Sequence, residues 1–420
     1  MSEQQPRKNK QNIIRFPSSG KERRRLLREH KDPRLRITAA ARTICGWLLV
    51  IGTFLFLLTN YSLFSPSSLR SLVQYTIAGL HRTDDAITTI TYQNGTFSDG
   101  ALFHSGLAYA DSDSLFLARP GGTTDLQYAL GYSDPVVETN GDYVLAYDRG
   151  GMQAALVNAA GPTAELTLSS PIITGSIGKG GRFVLVTDEQ GYHTAVSVYD
   201  AHGKEIFKFQ SSDYYIVSAG LSPDGKTLAA LAFQQNGVSL DSHVQFYDVS
   251  NGKLHADAAL PNALGIELCY TDNNTAAVLC DDGLYLVNRR GTAEQVLTSA
   301  SGDLIAFAKQ DNALALATRS YAGNARADLY TVRGGTLSGP YALPEEPTAL
   351  SVSSAGTAVL SASGAAVYDS TFAPRWRNSD AVGARRLLLT GDGTLFALYT
   401  KNARIFTARS TNSEDLSHAT

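Results

Sequence analysis

The sequence predicts one membrane-spanning helix followed by an all-β propeller of eight blades, with seven as the alternative count. Three observations predict it. Residues 43–64 form an uncharged, apolar run. Beyond residue 88 the chain changes to short strand-like runs parted by Gly, Asn, Asp and Ser turns. Those runs recur about every 39 residues, the length of a four-stranded blade.

Composition narrows the class before any motif is read. The 420 residues carry 36 Lys and Arg against 39 Asp and Glu, with only three cysteines. This excludes a strongly basic nucleic-acid binder and a disulfide-dense scaffold. The near balance conceals a split, because residues 1–42 hold 13 basic and 4 acidic side chains and the remainder 23 and 35.

The first element, residues 1–42, is basic and poor in apolar residues, which predicts a largely disordered tail lying at the anionic inner leaflet. The second, residues 43–64, is long enough as a helix, about 33 Å, to cross a hydrocarbon core of roughly 30 Å. Trp47 and Tyr61 stand near its ends, and the basic flank keeps the N-terminus cytoplasmic and the C-terminal domain extracellular. A cleaved signal peptide is disfavoured, because its basic region would be short and residues 59–62 offer no small-x-small site. The third element, residues 65–87, has Pro66 after Ser65 and apolar residues at Leu69, Leu72, Val73, Ile77 and Leu80, the stripe of a short stalk helix.

The fourth element is the propeller, residues 88–410. Its units begin near residues 99, 131, 171, 211, 261, 299, 344 and 379. The unit from 211 displays the plan: YYIVSAGL, a turn at SPDGK, TLAALAFQ, a longer loop, SHVQFYDV, a turn at SNG, and KLHADAAL. Third-strand endings of the same kind appear as VSVYDAHGK, LYLVNRRGT and AAVYDSTFA. The last unit supplies three strands, so ITTITYQ (87–93) is expected to return as its fourth and close the ring, leaving no long sheet edge open. Residues 411–420 read as a polar, disordered tail.

The stretches GYSDPVVETNGDYVLAYDRGG and AVSVYDAHGKEIFKFQSSDYYIVSAGLSPDGKTLA, on a chain with a basic tail and one span, resemble an uncharacterised family (domain of unknown function) of Gram-positive bacterial single-pass membrane proteins. Phe209 stands where that family would show Trp. The SPDGK turn is also similar to turns of TolB-like and WD40-like propellers. The resemblance implies a membrane-anchored propeller with no assigned activity.

Residues able to carry chemistry are few. The eight His are scattered without metal-ligand spacing, no nucleophile elbow is present, and the glycines of GSIGKGGRF precede no helix. No catalytic, cofactor or metal residue is assigned. Cys269 and Cys280 flank a turn at Asp272, Asn273 and Asn274. A hairpin centred there would set them nearly opposite, with buried free thiols or a cross-strand disulfide as the two outcomes.

Ser-Asp pairs recur at unit starts, at Asp99, Asp134, Asp213 and Asp380. Loops entering innermost strands gather at one mouth of a propeller, which would bring these carboxylates together with Tyr132, Tyr214 and Tyr215 as a site for a cationic ligand, peptide or cell-wall component. The competing reading is that Ser and Asp bond only their own turns. The functional expectation is a non-catalytic binding or scaffolding module of the cell envelope, partnered by the membrane and by an envelope protein or cell-wall component. An extracellular enzyme acting on glycan or a small substrate at the channel mouth is the alternative, and a ligand sensor signalling through a partner is the third reading.

Overall fold

The computed structural model describes residues 45–51, 88–321, 323–410 and 413–415. The chain divides after Pro66 into two units. In the first, residues 45–51 are an exposed helix, and no described helix is long and apolar enough to cross a membrane. The basic tail, the rest of the 43–64 run and the 65–87 stalk lie outside the described residues.

The second unit is a ring of eight antiparallel sheets, seven of four strands and one of five. Each sheet is one blade. The first strands of blades 1 to 8 are Asp99–Phe103, Pro135–Asn140, Ile172–Ile177, Tyr215–Leu221, Gly265–Tyr270, Leu304–Gln310, Ala349–Ser353 and Arg386–Leu389. At six of the eight junctions neighbouring blades meet through these strands, which makes them the innermost and the walls of the central channel. They begin up to several residues later than the expected unit starts, because the loop from the preceding outer strand occupies the start of each unit.

Blade packing explains the sequence pattern. The second and third strands of blade 3, Phe183–Thr187 and Thr194–Tyr199, are buried at every position. Both their faces are covered by neighbouring blades, so polar alternation is lost there and kept only on inner and outer strands. Eight apolar clusters result, one at each blade junction. Each fully buried aromatic in them, such as Phe396 or Phe116, contributes roughly 1.5–3 kcal/mol through apolar burial.

The ring closes as the short last unit requires. Thr88–Thr91 pairs with Asn402–Phe406 in the register Thr88 to Ile405 and Thr91 to Asn402, and becomes the outer strand of blade 8. Ile90 and Tyr92 then enter the apolar cluster that joins blade 8 to blade 1. One expectation is corrected at the other end. Within the segment read as a disordered tail, Ser413–Asp415 adds to the outer strand Pro374–Asn378 as the fifth strand of blade 7.

The recurrent third-strand endings are one device. In each, an Asp or Asn side chain accepts from backbone N–H groups of the turn it opens: Asp200 Oδ1 from His202 and Lys204, Asp248 from Ser250, Asn288 from Arg290, and Asp369 from Thr371 and Ala373, at 2.8–3.0 Å. The SPDGK turn works similarly, with Ser222 Oγ donating to Asp224 at 2.7 Å and Gly225 at φ 69°.

Candidate functional site

The ring has two mouths. One is formed by the loops that enter the innermost strands together with the turns between second and third strands. The other is formed by the turns that end the innermost strands and those between third and outer strands.

At the first mouth the expected carboxylates separate by role. Asp99 accepts from the Val137 N–H of blade 2 at 2.9 Å and pairs with Arg386 of blade 8, so it joins three blades. Asp134 pairs with Arg149 at 2.8 Å. Asp380 lies in the turn Ser379–Ala381 after the outer strand of blade 7, where its N–H donates to Asn378 Oδ1 and its carbonyl accepts from the Tyr399 hydroxyl. Tyr132 is buried between blades 1 and 2. Asp213, Tyr214 and Tyr215 remain together and open to solvent.

They belong to an aromatic ledge that spans blades 3 and 4. The Tyr215 ring, 45% exposed, stacks on His193 at 4.0 Å and on Phe233 at 5.4 Å. Tyr214 lies against His243 at 4.8 Å, and His243 Nδ1 sits 2.8 Å from Asp257 Oδ1. Burial first, then the carboxylates of Asp257 and Asp213, push the Tyr214 hydroxyl above its usual range. Beside the ledge the second and third strands of blade 4, Thr227–Asn236 and Ser239–Asp248, outrun their neighbours. The last rungs, from Gln234 opposite Asp241 to Asn236 opposite Ser239, have no third strand, and Val238 at the tip is fully exposed.

The two cysteines do not face each other. Asp272 Oδ1 gathers the N–H groups of Asn274 and Thr275 and tightens the turn, so Cys269 pairs with Ala277 and Cys280 with Gly265. Both thiols are free, and burial pushes Cys269 up to about 12.

Inside the channel stands a feature no motif announced. Lys309 on the innermost strand of blade 6 reaches Glu267 of blade 5 at 3.3 Å and Glu138 of blade 2 at 3.8 Å. Ser218 of blade 4 donates to Glu267 at 2.6 Å. Lys309 is ringed by protein, yet about a third of its side chain (33%) is reached by water, as expected of a group lining a channel. Burial acts to lower the Lys309 pKa, but Glu138 and Glu267 outweigh it and hold the ammonium above the usual lysine range. Burial raises Glu138, with Lys309 opposing. The array is ionic, and its two carboxylates favour the charged form of the lysine.

The second mouth holds a cavity of about 570 Å³. Its wall consists of turns ending the innermost strands of blades 2, 3 and 4, with Asn312 of blade 6 on the far side. Glu138 stands two residues before Asn140 on the innermost strand of blade 2, so the ionic array adjoins the cavity. Asn140 Nδ2 donates to the Ile177 carbonyl at 3.3 Å and ties two of the turns together.

Comparison with known proteins gives a family. A model of the family of unknown function DUF5711 matches residues 82–339. No curated protein matches the chain. Among solved structures, BamB from Moraxella catarrhalis is similar, with 12% identity over 76% of this chain and 98% of that one, at a TM-score of 0.48. The Cps50 (Swd1) β-propeller domain of Myceliophteria thermophila is similar at 11% identity, covering 75% and 97%, with a TM-score of 0.47. The Pan2 WD40 domain of Neurospora crassa follows at 14% identity, 52% and 71% coverage and 0.40.

Proposed function

The chain belongs to the DUF5711 family of unknown function, and from that premise we propose that it is a membrane-anchored propeller that binds a partner in the cell envelope without catalysing a reaction. In this reading residues 43–64 span the membrane, the basic tail is cytoplasmic and the ring is extracytoplasmic. The observation that carries the binding role is the ledge around Tyr215. A stacked, half-exposed tyrosine flanked by His193 and Phe233, with Asp213 next to it, is a rigid aromatic anchor in an acidic setting. Such a surface suits a cationic segment of a partner protein, whose Lys or Arg would meet both the ring face and the carboxylate.

The test is crosslinking and affinity recovery of tagged full-length protein from intact cells, beside a version lacking residues 88–420 and a Tyr215→Ala/Asp213→Asn double variant. The proposal expects envelope proteins that are recovered with the full chain, absent with the truncated one and depleted at least fivefold with the double variant. The same set recovered in all three arms would refute it.

A further inference from the structure

The cavity at the second mouth lies on the opposite side of the ring from the ledge, and it is independent of the reading above. Its volume, about 570 Å³, falls within the roughly 300–1,000 Å³ of small-molecule sites. Its lining decides the ligand class. The rim carries one ammonium, Lys179, and one carboxylate, Asp142, whose side chain is 80% exposed although it also pairs with His104 at 3.6 Å. It contains no Arg, and the adjoining Lys309 is already engaged by two carboxylates. A phosphate or other strong anion would therefore meet no surplus of positive charge and would approach Glu138.

The other polar groups are the carboxamides of Asn140 and Asn312, which both donate and accept hydrogen bonds, the hydroxyls of Tyr143 and Ser222, the latter donating to Asp224 at 2.7 Å, and peptide groups of a glycine-rich turn. Hydroxyl groups make the same dual demand. The Tyr143 ring, with Leu221 and Pro223, supplies an apolar patch beside them. Balanced charge, donor-acceptor amides and one aromatic face in an open cavity match a sugar ring, which presents hydroxyls at its rim and C–H bonds on its faces.

We propose that this mouth binds a saccharide, with Asp142, Lys179, Asn140 and Asn312 bonding its hydroxyls and Tyr143 packing on its ring.

The test uses full-length protein in lipid nanodiscs and saturation-transfer NMR with chitotriose, maltotriose and, as zwitterionic comparator, lysine. Binding of at least one saccharide is expected, together with a tenfold or greater loss in an Asp142→Ala/Asn312→Gly variant. Gly is chosen at 312 because that residue has φ 58°, which glycine adopts freely. Val238→Ser, at the exposed tip of the blade 4 hairpin on the other mouth, is expected to leave binding unchanged, and thermal melting checks that each variant is folded. Absence of saccharide binding at 10 mM, binding of lysine alone, or saccharide binding indifferent to the double variant would each overturn the proposal.

Discussion

Lys309 and Glu138 meet across the ring, Nζ to Oε1 at 3.8 Å, although they belong to blades 6 and 2, which stand opposite each other among eight. With Glu267 the lysine forms a crossbar that occupies the channel between the two mouths. Removing the cation leaves two carboxylates facing each other in a confined space. Lys309→Met is expected to lower stability by about 1–3 kcal/mol, less than for a fully dry pair because water reaches the group. The triple variant Lys309→Met/Glu138→Gln/Glu267→Gln is expected to recover most of the loss. Urea denaturation of the three proteins is the measurement; a triple variant as weak as the single one would mean that the lysine acts by packing instead of charge.

The closing strand is short, and its stability rests on a few side chains. Ile90, 1% exposed, sits in the cluster that joins the last blade to the first. Ile90→Ala is expected to cost about 2–5 kcal/mol, the usual range for a large-to-small change in a packed core. Limited proteolysis should then cut first near the blade 8 to blade 1 junction. Cutting elsewhere would show that the ring opens by another route.

For the thiols, the expectation is plain absence of a bridge and slow chemistry. In a Cys45→Ser background, intact mass under non-reducing conditions should show two free thiols. Neither should react with iodoacetamide at pH 8 within an hour while folded, Cys280 because it is buried and Cys269, which is half-buried, because its surroundings push the thiol up to about 12. Both should react in urea. Rapid alkylation of the folded protein would contradict the burial.

Acid should weaken the turns. In Asp369 the bonds from the Thr371 hydroxyl and from backbone N–H groups hold the carboxyl below its usual range. In Asp200 burial pushes upward, but the N–H bonds from Lys204 and His202 prevail. A carboxyl lowered in the folded state contributes stability above its unfolded value, and that contribution is lost as pH falls through the folded one. Stability should therefore fall below about pH 4, and Asp369→Asn should flatten the fall while costing on the order of 1 kcal/mol at pH 7. Urea midpoints from pH 2 to 7 are the check.

Much of this architecture is legible along the chain because its determinants are local. Turn residues punctuate strands at a steady period, and a last unit short of a strand demands that an earlier one return. The hairpin at Cys269 was legible in its turn but not in its register: with the turn fixed by Asp272, Cys269 meets Ala277, three positions short of Cys280. The crossbar was not legible at all. Glu138, Glu267 and Lys309 are single charges in otherwise uncharged strands, and only closure of the whole ring makes them neighbours. The expected carboxylates share a motif but not an environment, since Asp99 finds an arginine from blade 8 and Asp213 finds solvent and tyrosines.

The strand Thr88–Thr91 is both the first described element of the ring and the element that fastens it. Tension transmitted along the polypeptide from residues before 88 is consequently delivered straight to the clasp, ahead of every other blade. A sustained pull there would strip blade 8 of its outer strand while the other seven sheets kept all of theirs.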